Sequence, residues 1–172
     1  VAVMASQGAG GPKDEATAAL YYKKSLQTWK KEADDGDSKA ALWAALVYER
    51  KLVPDSSPEK SVPYLLQAAE SGNLTAQGLL AFKYRDGLGV PQDAAKAVEW
   101  FEKAASRKDL GAVMELGIMF RDGKYLPPDR EKAFHWFEKG AEWKDPYSMA
   151  ALADMLLEGT PSAEQAARAL AL

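Results

Sequence analysis

The stretch AQGLLAFKYRDGLGVPQDAAKAVEWFEKAA, residues 76–105, decides the fold because it recurs. Set above AVMELGIMFRDGKYLPPDREKAFHWFEKGA, residues 112–141, it matches without a gap at 14 of 30 positions, at an offset of 36 residues. Self-similarity at a fixed period of this size is the signature of a stacked repeat array.

The period extends in both directions. Asp37, Asn73, Asp109 and Asp145 are each 36 residues apart, and all four are residue types whose side-chain oxygen caps a helix N-terminus. A second cap series runs through Ser57, Asp93 and Asp129 at the same spacing. Pro58 and Pro146 follow caps at the first helical position, where a missing N–H costs nothing. Two helix starts per period make each unit a helix–turn–helix. Gly87, Gly123 and Gly159 stand where the first helix of each pair must stop, and Pro91 and Pro127 fall in the loops that follow. Lys51 occupies the glycine slot of the first full repeat, so a different turn is expected there, through Pro54 and Pro58. In the last repeat Ser162 and Gln165 form a capping box. Nine helices are expected, the first from about Asp14 to Ala33.

The expected fold is therefore all-α, an α/α superhelix (solenoid) of 36-residue helix–turn–helix repeats. A flexible leader covers residues 1–13 and a single repeat domain covers 14–172. That domain divides into a partial repeat over 14–36, full repeats over 37–72, 73–108 and 109–144, and an incomplete one over 145–172. Val1 stands where an initiator methionine would, so upstream residues are expected to have been removed.

Inside the repeat, Ala76, Leu80 and Tyr84 form a core stripe at helical spacing, echoed by Ala112, Leu116 and Phe120. Small Ala81 and Gly117 are expected to let helix backbones approach. On the second helix Ala97, Trp100, Phe101, Ala104 and Ala105 alternate small with large, as do Ala133, Trp136, Phe137, Gly140 and Ala141.

These residues bring a family into view. Leu80, Tyr84, Gly87, Gly89-Val90, Asp93, Lys96-Ala97, Trp100-Phe101 and Lys103-Ala104-Ala105 resemble the consensus of Sel-one-like repeats, relatives of the tetratricopeptide repeat. So do Leu116-Gly117, Phe120, Gly123, Asp129, Lys132-Ala133, Trp136-Phe137 and Lys139-Gly140-Ala141. The resemblance runs from about Tyr21 to the end and implies a right-handed superhelix serving as adaptor or scaffold. In bacteria it implies export or a periplasmic place, and for some members immunity to a toxin. A cytoplasmic location is the alternative. A cysteine-rich branch is linked to β-lactam binding; this chain has no cysteine.

Composition excludes several chemistries. Without cysteine there is no disulfide, thiol nucleophile or thiolate metal site. A net charge of −3 lacks the basic footprint of a nucleic-acid binder. No stretch is long and apolar enough to span a bilayer. The single histidine, His135, has Glu99 and Pro63 in its slot one and two repeats earlier, so it reads as a solvent-facing helix position. No zinc motif, nucleophile elbow or phosphate loop is present. No catalytic residue, cofactor or metal is therefore expected, and the chain is read as a non-enzyme.

The face of the first helix opposite the core stripe carries Leu42, Leu46, Phe82, Met114 and Ile118, flanked by Trp43, with Glu49, Arg85 and Arg121 in the slot at its C-terminal end. Such a set is more apolar than a solvated face needs. Packing between adjacent first helices would also want apolar residues. Arg85 and Arg121 read as helix C-terminal residues offsetting the dipole. In a second reading they form a pair roughly 10 Å apart, facing an acidic partner. The expected function is protein–protein interaction by an adaptor, scaffold or inhibitor that holds a protein or peptide on its concave face. The partner could be a toxin effector or an envelope protein. The alternatives are an immunity protein that occludes a secreted bacterial toxin, and a cell-wall or lactam hydrolase.

Overall fold

The computed structural model describes residues 14–158 and 165–167. Among these, every regular element is a helix. They are α1 (Glu15–Asp34), α2 (Ser38–Glu49), α3 (Pro58–Glu70), α4 (Leu74–Asp86), α5 (Ala94–Ala105), α6 (Leu110–Asp122), α7 (Arg130–Glu142) and α8 (Pro146–Leu157). Residues 165–167 are helical as well. Gly159 and Ser162 lie outside the described residues. The chain forms two compact units, one ending at Asp93 and the other beginning at Ala94. In each, the closest packing runs between sequential helices: α1 on α2, α2 on α3 and α3 on α4, then α5 on α6, α6 on α7 and α7 on α8.

Most starts follow from a side-chain cap. Asp37, Asn73, Asp109, Asp129 and Asp145 all accept backbone N–H bonds two or three residues on, as from Ala112 to Asp109 at 2.9 Å. Asp14 does the same for α1, accepting from Thr17. The Lys132 N–H bonded to the Asp129 carboxylate is the main reason its pKa lies below the ordinary aspartate value. Ser57 departs from expectation. It holds the N-cap position of α3 but makes no side-chain cap bond. Its hydroxyl serves Glu59, whose pKa is thereby lowered.

The stops hold one correction. Gly87 and Gly123 close α4 and α6 in the left-handed conformation, at φ 71° and 66°. Lys51, expected to force a different turn, adopts that conformation too, at φ 52°. The turn opens alike in both repeats: Leu52 N–H donates to Val47 O at 3.0 Å, as Leu88 N–H donates to Lys83 O at 3.0 Å. The loops diverge only afterwards. Val53 tucks into the core of the first unit, where the Ser56 hydroxyl donates to its carbonyl. After α4 and α6, by contrast, the Asp93 and Asp129 N–H groups tie back to Tyr84 O and Phe120 O.

The core is built as the repeat predicts. Ala97, Phe101, Ala104, Ala105, Ala133 and Phe137 are closed to solvent, with Trp100 and Trp136 nearly so. Of the stripe residues only Tyr84 is half-buried. At Gly117 it is a ring rather than a backbone that makes the close approach. A Cβ there would sit 2.6 Å from Phe137 Cζ, so glycine on α6 makes room for the aromatic of α7.

Candidate partner-binding faces

Three positions of the first helix recur on its outer face. One slot holds Leu46, Phe82 and Ile118; a second holds Leu42 and Met114; the third holds Glu49, Arg85 and Arg121. All five apolar residues are half-buried, neither in the core nor fully free. Trp43 beside them is 51% exposed. His135 is exposed, and so are Ala150, Asp154 and Leu157 in the corresponding slots of α8.

On α4 the Arg85 guanidinium lies 4.7 Å from the centroid of Phe82. It also grips Asp86 through Nε and Nη2, each at 2.8 Å. On α6 Arg121 Nε donates to Asp122 at 2.7 Å, and its guanidinium lies 5.8 Å from the Phe137 centroid. Each arginine is thus neutralised by its own neighbour at a helix C-terminus. The geometry favours the local reading over a pair of free cations.

The first unit carries features that the sequence reading missed. Trp29 of α1 stacks on Trp43 of α2, with ring centroids 5.8 Å apart and an interplanar angle of 25°. Tyr22, Trp29, Trp43 and Arg50 border a hollow in this unit. Trp29 occupies the slot of Leu65, Phe101 and Phe137, all closed to solvent, yet it is only half-buried. Lys83 is a further surprise. Its side chain is 4% exposed, in a slot that holds Val47, Met119 and Met155 elsewhere. Its ammonium pairs with Glu49 Oε1 at 2.7 Å and donates to Leu88 O at 3.2 Å and, at 3.4 Å, to Pro58 O. A buried ammonium needs such a set of acceptors. The signal was present: a lysine in a slot otherwise apolar.

Among the described residues no group of three or more histidines or carboxylates could hold a metal ion, and no helix is long and apolar enough to cross a membrane.

The model for the Sel1 repeat matches residues 1–27, 39–73, 75–109, 111–142 and 146–172, spanning nearly the whole chain. The chain belongs to the Sel1 repeat family. Sel1 repeat proteins are generally non-enzymatic modules that bind other proteins. No curated protein matches the chain. Among solved structures it is similar to a protective antigen of uropathogenic Escherichia coli with an SLR fold. That match has 30% identity and a TM-score of 0.68, covering 78% of this chain and 29% of that one. A Sel1 repeat protein from Oxalobacter formigenes is similar at 24% identity and a TM-score of 0.70, over 89% of this chain and 60% of that one. Cysteine rich protein B of Helicobacter pylori matches at 23% identity and a TM-score of 0.54, over 75% of this chain and 92% of that one. The last two likenesses establish the solenoid fold alone. The chain spans less than two thirds of the length of the first two.

Proposed function

We propose that this Sel1 array is a protein-binding module without catalysis, and that partners lie along the outer faces of its first helices. The observation that carries the reading is the half-buried state of Leu42, Leu46, Phe82, Met114 and Ile118. Side chains needed only for core packing would be closed over, as Leu80 and Leu116 are. Within each unit these positions lie on one helix face, and aromatic or apolar anchors on such a face dominate binding energy.

The test begins with a partner recovered by affinity capture, followed by calorimetry against purified variants. Phe82→Ala reports the face of the first unit and Ile118→Asp that of the second. Removal of a central anchor is expected to cost about 2 kcal/mol or more of binding. Asp154→Ala, Glu99→Lys and His135→Ala are expected to leave affinity unchanged. Normal binding by folded Phe82 and Ile118 variants, with loss in the Glu99 or His135 variant, would move the partner to the second helices.

A further inference from the structure

The hollow beside Trp43 joins an apolar surface to an unneutralised charge. It measures about 240 Å³ and is lined by Tyr22 and Trp29 of α1, Trp43 and Leu46 of α2, and Arg50 and Leu52 of the following turn. Binding sites for whole drug-sized molecules run roughly 300–1,000 Å³. This one suits a single large side chain.

The state of Arg50 follows from a charge exchange within the repeat. Where α4 and α6 end in Arg85-Asp86 and Arg121-Asp122, the same two positions of the first full repeat hold Glu49, the last residue of α2, and its C-cap Arg50, with the charges in reverse order. In the later helices the arginine holds the adjacent aspartate. In α2 the carboxylate of Glu49 is taken by Lys83 from α4. The exposed Arg50 guanidinium is left without an ion pair among the described residues. Among the described residues it is also the one charged side chain lining the hollow.

Building on the protein-binding reading above, we infer that this hollow is a socket for a linear acidic segment of a partner protein. One aromatic side chain of the segment enters beside Trp43 and Leu46, and a neighbouring aspartate or glutamate carboxylate meets Arg50. The stacked indoles supply a flat apolar wall for the ring. The guanidinium supplies a planar fork that matches a carboxylate. A basic segment would bring a like charge to Arg50 and be rejected, which makes the socket selective as well as adhesive.

The experiment uses the full chain, labelled with nitrogen-15, and follows the indole N–H resonances of its five tryptophans. The probe is an unlabelled synthetic peptide, Gly-Ser-Glu-Trp-Glu-Ser-Gly, with two controls: one replaces both glutamates by lysine, the other replaces tryptophan by alanine. The acidic peptide is expected to shift the Trp29 and Trp43 signals saturably. Each control is expected to bind at least about tenfold more weakly, the scale of one charge-assisted contact or one anchor. Arg50→Glu is expected to reverse the preference in favour of the lysine peptide, a gain that a misfolded variant could not show. Equal response to the acidic and lysine peptides, no response to either, or an unchanged preference in Arg50→Glu overturns the inference. Shifts confined to Trp100, Trp136 or Trp143 also overturn it but leave the wider protein-binding reading standing. That reading is decided separately by Phe82 and Ile118.

Discussion

The C-terminal turns of α2 and α4 share a backbone and differ in charge. Both close on a left-handed residue, Lys51 or Gly87, and on the same backbone bond. Yet Arg85 pairs with Asp86 of its own helix, whereas Glu49 pairs with Lys83 of the next repeat. The period therefore constrains shape more tightly than electrostatics. One lysine in a slot otherwise filled by Val47, Met119 or Met155 draws in a carboxylate and leaves Arg50 at the surface beside two tryptophans. A buried ion pair of this kind is weak evidence of added stability, because desolvation offsets much of the attraction. Its effect here is to decide which charge faces outward.

The largest test compares the two units at one slot. Phe137 is closed to solvent and seated against Gly117; Trp29 is half-buried against Trp43. Phe137→Ala is expected to cost about 3–5 kcal/mol, as for other buried aromatics, and Trp29→Ala clearly less. Urea melts measure both. Equal losses would show that α1 is packed as firmly as α7 and that the hollow at Trp43 is not an open surface.

The next test breaks the charge exchange from each side. Glu49→Ala leaves the Lys83 ammonium buried without its counter-ion. The expected loss is about 2–4 kcal/mol. It stays towards the lower end of the range for an orphaned buried charge, because two carbonyls still accept from Lys83 and Glu49 is itself 27% exposed. Lys83→Met removes the charge and installs the residue found at 119 and 155, so its melt is expected to lie within about 1 kcal/mol of the parent or above it. If Lys83→Met were the more damaging change, the lysine would be contributing stability and the account of Arg50 as a by-product would need revision.

Helix starts come next in size and bear on what the sequence made legible. Asp109→Ala is expected to cost about 1 kcal/mol by removing the acceptor for Ala112 N–H. Asp129 adds a pH signature. Its carboxyl titrates below the ordinary aspartate range, so its contribution is complete above that range and fades as pH falls through its lowered value. Asp129→Asn keeps an acceptor without that titration, and acid melts of the two proteins should converge as pH drops. These caps could be read directly because capping is local: residue type and period suffice. Ser57 marks the start of α3 as the period requires, but its hydroxyl serves Glu59, two residues on, in place of a cap bond. The face residues Leu46, Phe82 and Ile118 were legible from helical spacing. Trp29, Tyr22 and Arg50 were not, since the hollow they line is assembled from two helices and depends on a lysine 33 residues beyond Arg50.

The smallest expected effect separates backbone strain from side-chain contact. The turn that leads from a second helix into the next cap carries Gly36 and Gly72 in the first unit, at φ 97° and 83°. In the second unit the same position holds Lys108 and Lys144, at φ 63° and 60°. A residue with a Cβ in the left-handed region bears roughly 1–2 kcal/mol of steric cost. Glycine removes that cost and returns about 0.5–1 kcal/mol of it through greater freedom in the unfolded chain. Lys144→Gly is therefore expected to stabilise by about 0.5–1 kcal/mol. Lys108→Gly should gain less, because the Lys108 ammonium lies 5.9 Å from the Trp143 ring centroid and an exposed cation–π contact contributes about 0.5 kcal/mol. Thermal melts of both variants, with Lys108→Met as a control that keeps the Cβ but loses the charge, resolve the two contributions. A gain at Lys108 as large as at Lys144 would mean that the ring contact adds nothing, and a loss at both would mean that the lysines hold these turns through contacts stronger than the strain they carry.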